Sequence, residues 1–459
     1  MKRLAYIALG AVLALFGNYY LTSSTEPDLQ RLYMQSMAIE DQPPVVFIHG
    51  ILGSRLKDEN TDEELWFGPI WNLLFDHHYD LVMDINPDSL QAEPGELKAF
   101  AIADNTAGKD YYGNVLRTLE EVGGYEKATP GQEIRPQSKY FYEFYYDWRL
   151  DNAINAAHLA DFIDRIRLDH GDPDLKVDII AHSMGGLIAR YYIRYGRADV
   201  LDSNDFPVNM YGGERVRRVI LLGTPSLGSV KILNAFIDGI QVGFRKINTE
   251  ILVTMPSMFQ LLPHPITDWI VTARGAPLNR DIFDIDTWRR FKWSIFDEDT
   301  RTRILSRYDS AAEGEAYLET LEAYFGKTLE RARRFVWSLT VPLPDEHPQL
   351  IVFGGDCALT PARILVEEVD GISEIRMYPD EITQPVMGVD YDALLLEPGD
   401  GAVTKSSLLG RNTLDPSVPR HEYIFFPLHH AFLLCEKHDS LTGNISFRDN
   451  LLNTLLSLE

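Results

Sequence analysis

Ser183 lies in Ala181-His182-Ser183-Met184-Gly185-Gly186, directly after the β-branched run Val177–Ala181 and before an apolar stretch from Leu187 to Tyr195. A serine hydroxyl acts as a nucleophile when it stands exposed on a tight strand-to-helix turn. Such a turn crowds the neighbours and requires small residues two positions to either side. Ala181 and Gly185 meet that requirement. A helix starting after Ser183 would also point its free N–H groups at developing negative charge. Similar strings occur by chance on surface turns, but the strand–turn–helix context here sets this one apart. The chemistry is attack on an acyl carbon, which needs donors for the oxyanion that forms. One is the backbone N–H of Met184, the residue after the nucleophile. His49-Gly50-Ile51-Leu52-Gly53 follows another β-branched run, Pro44–Ile48, and its Ile51 N–H is assigned as the second donor.

A serine of this kind is served by an acid and a histidine that follow it in the chain. Asp356, just after the run Leu350–Phe353, and Asp400, between Gly399 and Gly401, are the candidate acids. After Asp400 come His421, His429, His430 and His438. Only His438 follows the apolar run Ala431–Cys435 and precedes a closing helix at Ser446–Leu458, so it is assigned as the base. The carboxylate would hold the imidazole tautomer, and the imidazole would take the serine proton.

Positioning these groups requires a particular scaffold. Short buried strands are expected at Pro44–Ile48, Tyr140–Trp148, Val177–Ala181, Arg217–Leu222, Leu350–Phe353 and Ala431–Cys435. Helical stretches alternate with them, at Tyr111–Val122, Ala153–Leu168 and Leu187–Tyr195. That alternation predicts a mostly parallel sheet covered on both faces, the α/β-hydrolase fold. Residues 43–225 form the first part of the core, with a lid-like insert at 54–109, and residues 348–459 form the second. The stretch 226–347 is too long for a loop and reads as an inserted helical cap.

With these residues in place, the chain resembles the lecithin:cholesterol acyltransferase and phospholipid:diacylglycerol acyltransferase family. The segments that carry the resemblance are HGILGSRL at His49–Leu56, YDWRL at Tyr146–Leu150, AHSMGG at Ala181–Gly186 and LLGTPSLGS at Leu221–Ser229. PSMFQLLP at Pro256–Pro263 is similar to the family's cap segment and GDGAVTKSSL at Gly399–Leu408 to its acid turn. By this resemblance Ser183, Asp400 and His438 are the triad. His49 stands where the acyltransferases usually have Pro and is similar to bacterial lipases instead. The implied activity is lipid acyl hydrolysis or acyl transfer. An esterase for small substrates, a peptidase of the same fold and an inactive binding module are the alternatives.

Composition narrows the partners. Of 459 residues, 45% are hydrophobic and 11% aromatic, enough for a large core. A formal charge of −25 excludes nucleic acid as a partner and docking on anionic lipid through a basic face. The expected partner is a lipid or ester, and Trp66, Phe67 and Trp71 are expected to touch acyl chains or a lipid surface. No metal-ligand spacing or nucleotide fingerprint occurs, so no cofactor is expected. Lys2 and Arg3 precede the uncharged run Leu4–Phe16. Residues 1–22 therefore read as a signal peptide or signal anchor, and 23–42 as a tether. The body is expected to be exported, as a periplasmic, extracellular or outward-facing anchored protein. Cys357 and Cys435 follow or end neighbouring strands; a disulfide and two buried thiols fit them equally.

Overall fold

Seven strands build the central sheet, and each pairs in parallel with its neighbours: β1 (Val45–Ile48), β2 (Tyr125–Ala128), β3 (Lys139–Phe144), β4 (Val177–His182), β5 (Val216–Leu222), β6 (Gln349–Gly355) and β7 (Leu428–Leu434). Their spatial order is β7-β6-β5-β4-β1-β3-β2. This computed structural model describes residues 27–36, 42–68, 77–106 and 109–457. The apolar N-terminal segment, parts of the tether and Trp71 lie outside the described residues.

Alternation within the strands explains why both faces are covered. Val46 and Ile48 pack into one core cluster, whereas Val45 and Phe47 pack into another. On the first face lie α1 (Asn152–Asp169) and α2 (Met184–Tyr195). Asp151 caps α1 by accepting from the Ala153 N–H at 2.8 Å. On the second face lies the C-terminal helix α5 (Ile445–Leu456), which buries Phe447, Leu451, Leu452 and Leu455. Asn444 caps it by accepting from the N–H groups of Ser446 and Phe447. This is the doubly covered parallel sheet of the α/β-hydrolase fold, as the strand and helix alternation implied.

The inserts are more mixed than their composition suggests. Residues 226–347 hold α3 (Val230–Asp238) and the long α4 (Ala311–Ser338), but also a hairpin of Ile240–Val242 with Arg245–Ile247. Ile270–Val271 pairs in parallel with Ile364–Val369, so this stretch shares a small sheet with the second part of the core. Within 54–109, Ser54–Asp58, Glu64–Trp66 and Leu97–Ile102 form an antiparallel sheet. Part of the expected tether is also docked: Leu29 is buried, and the Tyr33 hydroxyl donates to the Asp449 main-chain carbonyl at 2.8 Å. Between Cys357 and Cys435 there is a disulfide, with Cα atoms 5.0 Å apart.

Strand β3 stops at Phe144, short of the expected Trp148, because the next residues tie the inserts to the core. The Arg149 guanidinium grips the Asp147 carboxylate through Nε at 3.0 Å and Nη2 at 2.7 Å. It also donates to the Pro94 carbonyl in the first insert at 2.9 Å. From the cap segment, Ser257 Oγ donates to the Trp148 carbonyl at 2.6 Å, and Gln260 Oε1 accepts from the Asn152 N–H at 2.8 Å. Two of the family-like motifs, YDWRL and PSMFQLLP, therefore hold each other. Arg149 is fully buried and Asp147 nearly so. Arg149→Met should strand a buried carboxylate and lower stability by about 3–5 kcal/mol in urea unfolding. Adding Asp147→Asn should recover part of that loss, and a double variant as unstable as the single would disprove the account.

Candidate active site

Ser183 occupies the turn between β4 and α2 with φ 53° and ψ −123°, a conformation costly for a residue with a Cβ. Buried elements hold it on both sides, and its N–H extends the sheet ladder by donating to the Leu222 carbonyl at 2.8 Å. The turn is tight enough that neighbouring backbones almost touch. A Cβ on Gly50 would lie 2.9 Å from the Ser183 Cβ, and one on Gly185 would collide with the His49 carbonyl oxygen. Only glycine fits at either point.

Two loops beyond β6 and β7 bring the other groups to Ser183. His438 Nε2 lies 3.0 Å from Ser183 Oγ, and its Nδ1 lies 2.8 Å from Asp400 Oδ2. The His438 N–H also donates to the Asp400 carbonyl at 3.0 Å, so two bonds fix the pair. Asp400 Oδ1 accepts from the N–H groups of Ala402 at 2.9 Å and Val403 at 2.7 Å. Burial would push this carboxyl up, but His438 and those two N–H groups outweigh it and hold it below the ordinary carboxylate range. Burial works against a charged His438 too. Asp400 overcomes it and raises the imidazole above its ordinary value. The rival acid, Asp356, is taken up elsewhere, by Lys405 Nζ at 2.9 Å. His429 accepts from the Leu350 N–H through Nδ1 at 3.3 Å and stands in the sheet edge.

Across from this series sits the His49–Gly53 turn. Gly50 N–H donates to the Tyr112 hydroxyl at 3.0 Å, and the Gly50 carbonyl accepts from His49 Nδ1 at 2.7 Å. Burial lowers the His49 pKa to about 3, so the ring is neutral and its Nε2 accepts the Tyr146 N–H at 3.3 Å. Among the described residues the Ile51 N–H meets no acceptor. Met184 opens α2, and its N–H has no carbonyl one turn back. Both N–H groups are thus available at the end of the sheet where Ser183 stands.

A cavity of about 400 Å³ opens over Ser183 and His438, walled by Ile51, Leu52, Trp66, Phe67, Ile240 and Val242. Trp66 is only 1% exposed; its Nε1–H donates to the Leu52 carbonyl at 3.2 Å, and its edge packs on Trp148. It braces the His49–Gly53 turn from within the core while forming one wall of the cavity. Trp71 is not among the described residues. Sequence reading missed Tyr112, His182 and the Ile240–Val242 hairpin as cavity residues; the position of His182, next to the nucleophile, was the one available signal. Among the described residues no group of three or more His, Cys, Asp and Glu side chains is arranged to hold a metal ion, and no helix is long and apolar enough to cross a membrane.

Known proteins resemble this chain in part of its sequence or in its fold. The sequence model of the family "Lecithin:cholesterol acyltransferase" matches residues 105–295, a span that includes Ser183 but neither Asp400 nor His438. An uncharacterised protein of Saccharomyces cerevisiae is 22% identical over 436 residues, covering 84% of this chain. The chain spans 59% of the length of that relative. Among solved structures, the Tle4–Tli4 complex matches with a TM-score of 0.58 at 14% identity, over 90% of this chain and 98% of the other. At that identity the likeness concerns the fold. A lipase from Staphylococcus hyicus matches at 13% identity and a TM-score of 0.36, over 94% of this chain and 96% of its own.

The electrostatics set a sign for pH dependence. A base must be neutral to accept a proton, so kcat/KM for a soluble ester should rise with pH as His438 deprotonates. Because Asp400 raises His438, the midpoint should lie above the ordinary histidine value of 6.5. Asp400→Asn should move that midpoint to lower pH and reduce turnover by roughly 10⁴. A pH-rate profile with an unmoved midpoint would refute the assignment.

Proposed function

We propose that this chain, matched by the lecithin:cholesterol acyltransferase family, is a serine-dependent lipid ester hydrolase or O-acyltransferase that carries the acyl group on Ser183. The observation that carries the reading is the unbroken hydrogen-bonded series Ser183–His438–Asp400 beneath an apolar-walled cavity. His438 Nε2 takes the proton as Ser183 Oγ attacks the ester carbonyl carbon, and Asp400 stabilises the imidazolium. Negative charge collects on the carbonyl oxygen, which the Ile51 and Met184 N–H groups receive. Collapse of this intermediate breaks the bond to the alcohol oxygen. His438 returns its proton to that oxygen, leaving an acyl-enzyme. A second hydroxyl, from water or from a lipid alcohol, then gives its proton to His438 and attacks the acyl carbon. Ser183 is released, and either a fatty acid or a new ester leaves.

Trp66 and Phe67 serve in this reading as cavity walls that receive the acyl chain. Trp66, expected to reach a lipid surface, is too deeply buried for that, and the contact with lipid is assigned to Trp71. An acidic body gains little from attraction to anionic lipid and needs an apolar contact. The site is assigned to an exported protein. Lys2, Arg3 and the apolar run Leu4–Phe16 support this, as does the Cys357–Cys435 disulfide, a bond suited to an oxidising compartment.

Ser183→Ala should abolish covalent labelling by a fluorophosphonate probe, and persistent labelling would overturn the nucleophile. Offering labelled phospholipid with and without a lipid alcohol distinguishes the two outcomes of the acyl-enzyme. Free fatty acid as the sole product at saturating alcohol means hydrolysis; accumulation of a new ester means transfer.

A further inference from the structure

Tyr112 and His182 are buried beside the reacting groups, and the mechanism above uses neither. Each hydrogen-bonding atom they carry has a partner, and the partners fix where the protons lie. His182 Nε2 is 3.2 Å from the His438 main-chain carbonyl, which can only accept, so Nε2 carries the proton. Burial lowers the His182 pKa to about 3, and the ring is neutral. Its Nδ1 therefore presents a lone pair, and the Tyr112 hydroxyl 3.2 Å away donates to it. The same hydroxyl accepts the Gly50 N–H at 3.0 Å. Protons run in one direction: Gly50 N–H to Tyr112 O, Tyr112 O–H to His182 Nδ1, His182 Nε2–H to His438 O. The chain starts in the turn that offers Ile51 N–H and ends on the backbone of the residue that carries the base.

We propose that Tyr112 and His182 are positioning residues that tie the oxyanion turn at Gly50 to the backbone of His438, so that donor and base keep a common geometry around Ser183. The proposal rests on the serine mechanism above and deepens it. Without the relay, His438 keeps its bonds to Asp400 through its N–H and Nδ1 and to Ser183 Oγ through Nε2, but its carbonyl loses the donor that links it to the Gly50 turn. The turn likewise keeps its bond from His49 to the Gly50 carbonyl but loses the anchor on the Gly50 N–H. The two loops are then held independently of each other, and the spacing between Ile51 N–H and His438 Nε2 is no longer imposed. Errors of this kind cost turnover more than binding, since the two groups act together only when charge develops. Tyr112 is well suited to this role, since its ring packs edge-on against Phe47 of β1.

The test cuts each end separately. Tyr112→Phe keeps the ring and removes the link to Gly50. His182→Asn keeps a polar group near Nδ1 but does not reach the His438 carbonyl. Each should lower kcat for a soluble ester roughly 10- to 100-fold, with KM and the unfolding temperature nearly unchanged. The double variant should be little worse than either single, because both break the same chain. Losses that multiply, or a wild-type kcat in either variant, would overturn the relay. Should a variant fold poorly, ¹⁵N NMR of histidine-labelled wild-type protein decides instead. His182 should show a protonated Nε2 and bare Nδ1 throughout the pH range in which His438 titrates; the opposite tautomer would overturn the proposal. Fluorophosphonate labelling separates this result from the serine mechanism. A wild type that labels on Ser183, with variants that label at the same rate, disproves the relay alone. A wild type that does not label disproves both.

Discussion

The approach of two backbones, at Gly50 and Ser183, is the constraint to which the rest of the site answers. Parallel pairing of β1 with β4 aligns Ile48 with Ala181, so the turns that follow both strands emerge side by side at one edge of the sheet. One turn must present an N–H and the other a hydroxyl to the same small volume, which leaves no room for a Cβ on Gly50. The unfavourable backbone of Ser183 persists because β4 and α2 are buried along their whole length and cannot relax around it. Strands β6 and β7 run in the same direction. The excursion after β6 returns Asp400 to the same edge, where the loop after β7 brings His438.

Charge is distributed there with equal economy. Three imidazoles stand within a few residues of the reacting atoms, but burial keeps His49 and His182 neutral. Only His438, next to a carboxylate, is pushed in the opposite direction. Because a neutral imidazole both donates and accepts, these two rings can serve as directional connectors. Arg149 plays a comparable part for the scaffold, joining the first insert to the core through the Pro94 carbonyl and the Asp147 carboxylate.

Local patterns make six of the seven strands of the central sheet readable in the sequence; the short edge strand Tyr125–Ala128, with charged Glu126 and Lys127 at its centre, is the exception. A β-branched run bounded by Pro or Gly is a strand almost regardless of its surroundings, and the Ser183 turn announces itself through Ala181 and Gly185. His438 was legible from its place after the last strand, whereas the choice of Asp400 over Asp356 leaned on the family resemblance. In the structure Lys405 engages Asp356. What stayed hidden depends on pairings between distant residues. Tyr112 and His182 lie 70 positions apart, and nothing local distinguishes their hydrogen bond from ordinary packing. Trp66 shows the same limit. Its composition suits a lipid-facing aromatic as well as a core residue, and only the Leu52 carbonyl and Trp148 reveal that it braces a turn. The hairpin at Ile240–Ile247 was lost inside a stretch whose average composition is helical.

The separation of 255 positions between Ser183 and His438 has a consequence for the life of the molecule before it is finished. Synthesis proceeds from the N-terminus, and strands β1 to β5 can pair while later residues are still being added. A ribosome-bound chain can thus possess Ser183 and the Ile51 and Met184 N–H groups before His438 has been made. The bond from His438 to Ser183 can form only after β7 has joined the edge of a sheet already in place. The order of residues along the chain thus makes the Ser183–His438–Asp400 series the last part of this edge to close.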